Sequence, residues 1–214
     1  METTNQKDLS PEERIQQLEN GNGRLIMGVQ VLALDISGTP FRWLDIERAS
    51  YYVASGKVAW SLGDHNVLRG GVRRIDGTRS RLDVPAVIAL AKSEAMARHY
   101  GPIPLGHDNR LLFRRDRDIC AYCGERITDP HQRTRDHVIP KARGGRDVWS
   151  NVVTAHRSCN MVKGCRTPEE AGKPLVYVPY TPCRFECFIL AGRNIVADQM
   201  AYLAARLPSH SRAV

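Results

Sequence analysis

Two clips of metal-ligand residues, Cys120-x-x-Cys123 and His156-x-x-Cys159, constrain this chain more than any other feature. Together they supply three thiolates and one imidazole, a set suited to a tetrahedral zinc ion with no open position. Cys165 follows closely and is the alternative to His156 as the fourth ligand. A redox Cys-x-x-Cys is the rival interpretation, but the strand-to-helix pattern that it requires does not precede Cys120. The clips therefore predict a structural zinc site.

A zinc ion held in this way would stabilise the fold and leave the chemistry to other residues. The apparent binding free energy of structural zinc, ~10 to 16 kcal/mol, becomes folding free energy because the unfolded chain has no such site. With four protein ligands, the ion keeps no water that could attack a substrate. Reactive groups are therefore expected between the clips.

Charge and hydropathy restrict the partners. Over 214 residues the formal net charge is +8, which favours a polyanionic partner because Lys and Arg displace counterions from phosphates. A solvated basic face would give the same total. No run approaches the ~20 apolar residues of a membrane span, and the polar N-terminus lacks the apolar core of a signal peptide. We therefore expect a cytoplasmic protein with no membrane partner, whose cysteines are thiols or metal ligands rather than disulfides.

Composition and turn residues divide the chain into three predicted regions of an α+β fold. Residues 1–105 are predicted to form an N-terminal α+β domain, and the turn-rich GPIPLG at 101–106 marks its end. Residues 106–172 contain the clips. Residues 173–214 form a C-terminal extension with a terminal helix at about 194–207.

Local patterns predict the elements of this N-terminal domain. The capping box Ser10-Pro11-Glu12-Glu13 predicts a helix over about 11–20, and residues 24–35 predict a buried strand. Helices are predicted over 45–55, capped by Asp45, and over 85–101. Between them, residues 67–84 predict a hairpin that turns at Asp76-Gly77. Its arginines either contact a DNA backbone or form a solvated face: Arg69, Arg73, Arg74, Arg79 and Arg81.

Around the clips the order strand, loop, strand, helix predicts a ββα unit. TRDHVI ends at Pro140 as a strand, a basic glycine loop follows, VVTA forms the second strand, and HRSCNMVKG has helical spacing. Beyond it, a capping box at Thr167 predicts a short helix, and residues 174–190 are predicted to be extended. The ββα unit would bring four polar residues together: Asp136, His137, Asn151 and Asn160.

These residues resemble the HNH (ββα-metal) endonucleases, in the bacterial and phage branch where a zinc ribbon surrounds a His-Asn-Asn core. The resemblance covers residues 113–172 and rests on FRRD, CAYCG, DHVIPKARGG, WSNVV, CN with the following KG, and TPEEAG. VLALDISGTPF and ERASYYVASGKV are similar to a leader domain that precedes this module in some members. Ile46 departs from that leader, which often has Trp there.

The resemblance implies a metal-dependent DNA endonuclease and a role for each core residue. His137 would be the general base that takes a proton from water. Asn151 would hold the His137 ring in its working tautomer or fix the loop. Asp136 and Asn160 would bind one divalent cation. Because their ligand atoms are oxygens, the expected ion is Mg²⁺ or Mn²⁺. This cation would neutralise charge on the phosphate and on the departing oxygen.

The implied substrate is double-stranded DNA, held through phosphates without reading bases. Cutting both strands with one active site would require a homodimer or two successive events. The alternative function is a zinc-stabilised nucleic-acid-binding module without catalysis. The residues expected to meet phosphates are Arg114, Arg115, Arg117, Lys141, Arg143, Arg146 and Lys163.

Overall fold

The structure is a computed structural model that describes residues 28–91, 103–209 and 211–213. The helix predicted over 11–20 lies outside the described residues, as do the first residues of the strand predicted over 24–35. In the described part of the chain no helix is long and apolar enough to cross a bilayer. The mixed α+β architecture predicted from the sequence is confirmed.

A mixed four-stranded sheet is the first element of this architecture, with the strand order β2-β1-β4-β3. Strand β1 is parallel to β4, and the other two pairs are antiparallel. Val31 and Ala33 of β1 pack on one face, and Leu32 and Leu34 pack on the other, so this strand is buried on both sides. The strands are β1 (Gln30–Leu34), β2 (Pro40–Asp45), β3 (Val58–Val72) and β4 (Arg79–Leu90).

Helices cover both faces of this sheet and complete the ββα unit. Among the described residues they are α1 (Ile46–Ala54), α2 (Arg110–Arg115), α3 (Arg157–Lys163), α4 (Arg184–Ala191) and α5 (Ala197–Ala204). Helix α1 lies on one face, while α4 and α5 lie on the other. Gln199 of α5 donates to the carbonyls of Gln30 and Ala86, at 2.7 and 2.9 Å. The segment predicted as a C-terminal extension therefore supplies the helices that cover one face of the four-stranded sheet. The three predicted domain ranges stay predictions.

Two of the predicted elements are confirmed by their local chemistry. Asp45 caps α1, its Oδ1 accepting from the amide of Arg48 at 2.7 Å. The hairpin of β3 and β4 turns at Asp76-Gly77, where Asp76 Oδ1 accepts from the Thr78 amide and Gly77 takes a φ of 67°. A left-handed φ of this kind favours glycine.

The helix predicted over 85–101 is wrong where the structure describes it. Residues from Pro85 to Leu90 belong to β4, between β1 and β3, and all six are buried. A short apolar run in a sequence fits a buried strand and a buried helix equally well. Here hydrogen bonding to β1 on one side and to β3 on the other stabilises the strand. Pro85 is tolerated because it lies at an irregularity of the β3–β4 ladder. Residues 92–100 lie outside the described residues.

Two further predictions after the clips are corrected. Thr167 and Glu170 form the reciprocal contacts of a capping box, but the chain then turns at Gly172 and no helix follows. The extended segment predicted over 174–190 ends instead in α4, where the Cys183 side chain caps the first turn. The terminal helix is confirmed in the shorter form of α5.

The ββα unit consists of strands β5 (Arg133–His137) and β6 (Val152–His156), followed by α3. The strands are antiparallel, with Asp136 opposite Val153 and His137 opposite Val152. A small core of Cys120, Tyr122, Ile127, Val153 and Ala155 lies beneath them. So few apolar side chains stabilise a fold only weakly, which is why a metal site matters here.

Candidate metal centre and active site

The two clips meet at one point of the structure. The ligand atoms of Cys120, Cys123, His156 and Cys159 all lie within 4.8 Å of one another. The Cys123 Sγ and His156 Nδ1 are 3.3 Å apart, a separation suited to two ligands of one tetrahedral ion. Cys165 is exposed and is not part of this group, so His156 is the fourth member. The residues fit a structural zinc ion.

Backbone contacts hold the first clip in place. Gly124 has a φ of 76°, and its amide donates to the Cys120 carbonyl at 2.9 Å, closing a tight turn around the two thiols. The amide of Ala121 donates to the Thr154 carbonyl of β6 at 2.8 Å. The turn and the ββα strands are therefore joined directly, and a zinc ion would fix both.

The thiols of the cluster have opposed proton affinities. Burial raises the pKa of Cys120, but amide donors from His156, Cys123 and Tyr122 outweigh it and lower the pKa to about 7. Burial raises the pKa of Cys159 to about 11, together with the neighbouring Cys120 and Cys123. Thiolates this close repel one another, and a divalent cation between them removes that repulsion.

His137 ends β5 and contacts a residue that the sequence did not single out. Its Nε2 lies 3.0 Å from Oδ1 of Asp147, on the loop between β5 and β6. Because an ionised carboxylate only accepts hydrogen bonds, Nε2 carries a proton in this contact. Among the described residues none bonds to Nδ1. The free lone pair of a neutral His137 is then on Nδ1.

Asp147 is held by a cluster of cations. Arg135 Nη1 donates to its two oxygens at 3.0 and 3.2 Å, and Lys141 Nζ lies 3.8 Å away. Partial burial opposes ionisation, yet the hydrogen bonds from His137 and Arg135 and the charge of Lys141 lower the pKa of Asp147 below its ordinary value. Arg135 is fixed in turn by Asn109 Oδ1, at 2.6 Å.

Asn151 organises the loop that carries Asp147. Its Oδ1 accepts from the Ile139 amide at 2.9 Å, and its Nδ2 donates to the carbonyls of Ile139 and Arg146 at 3.1 and 2.9 Å. Gly145 packs so tightly that an added Cβ would lie 1.7 Å from the Ile139 carbonyl oxygen. Of the two roles expected for Asn151, these contacts favour fixing the loop over contacting the His137 ring.

Asp136 faces the interior, on the opposite side of β5 from His137. It is 6% exposed, and its carboxylate accepts from the Tyr122 hydroxyl and from Lys163 Nζ, at 3.2 Å for Oδ1. Burial and the hydrogen bond to Asp136 raise the pKa of Tyr122, so the phenol stays protonated and donates. Lys163 is fully buried and also donates to the His137 carbonyl at 2.8 Å. That Lys163 meets a phosphate stays a prediction, and it would require this side chain to leave both of these partners.

The predicted cation pair does not fit this arrangement. Asn160 donates through Nδ2 to Thr134 Oγ1 at 3.2 Å, which leaves its amide oxygen for other contacts. The Asp136 carboxylate, however, is shielded from solvent and neutralised by the Lys163 ammonium. A divalent ion would have to share that carboxylate with a buried positive charge. In this arrangement Asp136 stabilises the fold and is not free to hold a cation.

Arg115 is a structural residue. It is 1% exposed and pairs with Asp116, with Nε 2.8 Å from Oδ1. Its guanidinium also donates to the carbonyls of Trp149, Val152 and Tyr180, which joins α2 to the ββα unit and to the following segment. That Arg115 contacts a phosphate stays a prediction, and it would require the guanidinium to give up these internal acceptors.

The other predicted phosphate contacts differ in their partners. Arg114 donates to the Leu190 carbonyl, and Arg117 donates to the Arg212 carbonyl. Arg143 pairs with Glu170 at 2.6 Å. Lys141 lies near Asp147, and the Arg146 side chain has no hydrogen bond or ion pair to any described residue. Lys141 and Arg146 therefore remain the most available cations beside His137.

The family comparison concerns the ββα unit and its metal cluster. Residues 120–176 match the sequence model of the HNH endonuclease family. No curated protein matches the chain in sequence. The matched segment begins at the first cysteine of the cluster and contains His137, Asn151 and Asn160, but it spans well under half of the chain. It identifies an HNH endonuclease domain at residues 120–176 and does not extend to the four-stranded sheet.

Proposed function

We propose that the HNH endonuclease domain hydrolyses phosphodiester bonds of duplex DNA with His137 as its general base. The observation that carries this proposal is the contact between His137 Nε2 and Asp147, which leaves Nδ1 as the free lone pair. The match to a nuclease family over residues 120–176 supports the same chemistry.

The reaction follows from the tautomer. His137 Nδ1 removes a proton from water while the water oxygen attacks phosphorus, and the bond from phosphorus to the 3′ oxygen breaks. Solvent protonates the departing oxygen, so the products are a 5′-phosphate and a 3′-hydroxyl. The imidazolium that forms is stabilised by the Asp147 carboxylate, whose lowered pKa keeps it ionised at neutral pH. In this proposal Asp147 is a positioning residue for His137.

Two kinds of metal belong to the proposal, with different roles. Zinc at the cysteine cluster is structural. Mg²⁺ or Mn²⁺ is the expected cofactor of the reaction, and when bound it would neutralise charge on the phosphate oxygens. The amide oxygen of Asn160 has no hydrogen bond to a described residue and could bind such an ion, whereas Asp136 would first have to separate from Lys163.

The DNA backbone would be bound by exposed cations of the loop that carries Asp147. Lys141 and Arg146 lie on the loop between β5 and β6, exposed and close in sequence to Asp147. Arg114, Arg117 and Arg143 could contribute only after exchanging their present acceptors for phosphate oxygens. Such contacts position the duplex without reading its sequence.

A plasmid assay tests the proposal directly. Purified wild type and His137→Ala, each with verified zinc content, are incubated with supercoiled plasmid and Mg²⁺ or Mn²⁺. We expect the wild type to nick and His137→Ala to be slower by a factor of about 10² to 10⁴, the range of general-base catalysis. His131→Ala is the matched control, since this exposed histidine of the same domain has no side-chain hydrogen bond to any described residue.

The alternative, a zinc-stabilised binding module without catalysis, gives a different result. Both proteins would then bind DNA and neither would nick it with any metal. Linear product accumulating together with nicked product, and a dimer by analytical ultracentrifugation, would indicate paired active sites. Nicking alone by a monomer would indicate one strand per event.

A further inference from the structure

A two-stranded ribbon extends beyond the four-stranded sheet. Strand β1 pairs with β4 only from Val87 to Ala89, whereas β3 and β4 continue together to the pair Val72–Arg79. Burial stops at Val84, and every residue from 67 to 82 is exposed or only partly buried. We call residues 67–82 the β-ribbon. At roughly 3.4 Å per residue it reaches on the order of 20 Å from the sheet.

The β-ribbon is strongly basic. Five exposed arginines lie along it, against one acidic residue, Asp76, which is engaged by Thr78 in the turn. Arg81 pairs with Asp83 at 2.9 Å, just outside the β-ribbon. The side chains of the other four have no hydrogen bond or ion pair to any described residue: Arg69, Arg73, Arg74 and Arg79.

Two of these arginines face each other across the strands. Arg69 and Arg81 are direct partners in the antiparallel ladder, and Arg79 lies on the same face as Arg81 because side chains alternate along a strand. Like charges directly opposite one another are unfavourable. The opposite face carries Leu68 and Leu82, which pack against the sheet core. Asp83 offsets part of this charge at Arg81, whereas Arg69 and Arg79 have no such partner among the described residues, so an external anion on the arginine face would stabilise them.

The tip adds an apolar side chain to this charge. Ile75 is fully exposed, between Arg74 and Asp76 in the turn. It packs against nothing in the described fold, so its burial requires another molecule. A basic two-stranded ribbon with an apolar tip matches the groove of duplex DNA, where phosphates line both sides and sugars and bases lie between them.

We propose that the β-ribbon is a second DNA-binding element, lying in the major groove with its arginines on the flanking phosphates. The proposal depends on the proposed function only for the identity of the partner, duplex DNA. Arginines that merely protect exposed strands from pairing with other chains would give the same sequence pattern but no contribution to DNA affinity.

Equilibrium binding with a matched pair of variants separates these cases. Full-length, zinc-loaded Arg73→Gln/Arg74→Gln is compared with Arg42→Gln/Arg48→Gln, which removes the same charge from exposed sites outside the β-ribbon. Affinity for a fluorescent 40-base-pair duplex is measured by anisotropy over a salt series. We expect the β-ribbon variant to bind about ten-fold more weakly and to lose about two from the slope of log K against log salt. The control variant should retain wild-type affinity and slope.

The outcomes distinguish this proposal from the nuclease proposal. Equal affinities and slopes for the two double variants, with unchanged thermal melting, would overturn the role of the β-ribbon. Wild type that binds the duplex but never nicks would refute the nuclease and leave the β-ribbon result standing. The role of the β-ribbon would also be overturned if the wild type did not bind duplex DNA. The same holds if the β-ribbon variant lost binding to phosphatidylserine vesicles but kept its affinity for DNA.

Discussion

His137 and Asp147 meet across the loop between β5 and β6, with Nε2 of the histidine 3.0 Å from the aspartate Oδ1. They are separated in sequence by Pro140 and the glycine pair, and Asn151 holds the loop that brings them together. The contact gives the histidine one tautomer and one orientation.

Removing the Asp147 carboxylate should slow the reaction more than it weakens DNA binding. We expect Asp147→Ala to lower kcat by about 10- to 100-fold with little change in KM, because the ring loses its orientation. Asp147→Asn retains an acceptor and should recover part of the loss. Long-range ¹⁵N NMR of His137 should report a mixed tautomer in Asp147→Ala only. An unaltered tautomer and rate, matching those of Glu169→Gln, would remove Asp147 from the mechanism.

The buried pair of Asp136 and Lys163 predicts a stability effect. Asp136→Asn should lower the free energy of unfolding by about 3 to 5 kcal/mol, because the Lys163 ammonium is then buried without its counter-charge. Asp136→Asn combined with Lys163→Met should recover part of this loss. Urea unfolding at saturating zinc measures both. If Asp136→Asn kept full stability but abolished stimulation by Mg²⁺, the carboxylate would be a cation ligand after all.

Zinc removal should unfold the HNH domain. Wild type should contain one zinc ion per chain, and Cys120→Ser or His156→Ala should lose it, whereas Cys165→Ser should not. Metal analysis and the near-ultraviolet circular dichroism signal, before and after chelation, test both statements. Full zinc content in His156→Ala would transfer the fourth ligand to Cys165.

Arg115 and Arg146 should respond in opposite ways. Arg115→Met should destabilise the fold by about 3 to 5 kcal/mol, since it leaves Asp116 buried and uncompensated, yet it should not alter the salt slope of DNA binding. Arg146→Gln should leave stability unchanged and reduce that slope by about one. Thermal melting and anisotropy titrations on both variants decide between a structural and a phosphate-binding arginine in each case.

The metal cluster and the ββα order could be predicted because each depends on spacing along a short segment. The spacing of Cys120, Cys123, His156 and Cys159 restricts the ligands, and turn residues separate β5 from β6. The hairpin that turns at Asp76-Gly77 could be predicted for the same reason, because its turn residues are adjacent in sequence. These features need no knowledge of distant contacts.

The direction in which a side chain points depends on distant contacts, and the sequence did not predict it. Arg115 and Lys163 are basic residues in a basic segment, and nothing nearby in sequence reveals that carboxylates and distant carbonyls hold them inside. Asp147 was missed because an acidic residue in a charged loop has no distinguishing pattern. Only the register of β5 on β6 and the loop geometry bring it to His137.

The two helices that cover the second face of the sheet come late in the chain, and this has a consequence for synthesis. The strands with Leu32, Leu34 and Ala89 leave the ribosome long before Phe188 and Leu203, which cover them. The HNH domain, whose own elements are contiguous, can assemble in between. Until α4 and α5 have been made, this face of the sheet lacks the helices that cover it, and chaperones that recognise exposed apolar surface can bind there.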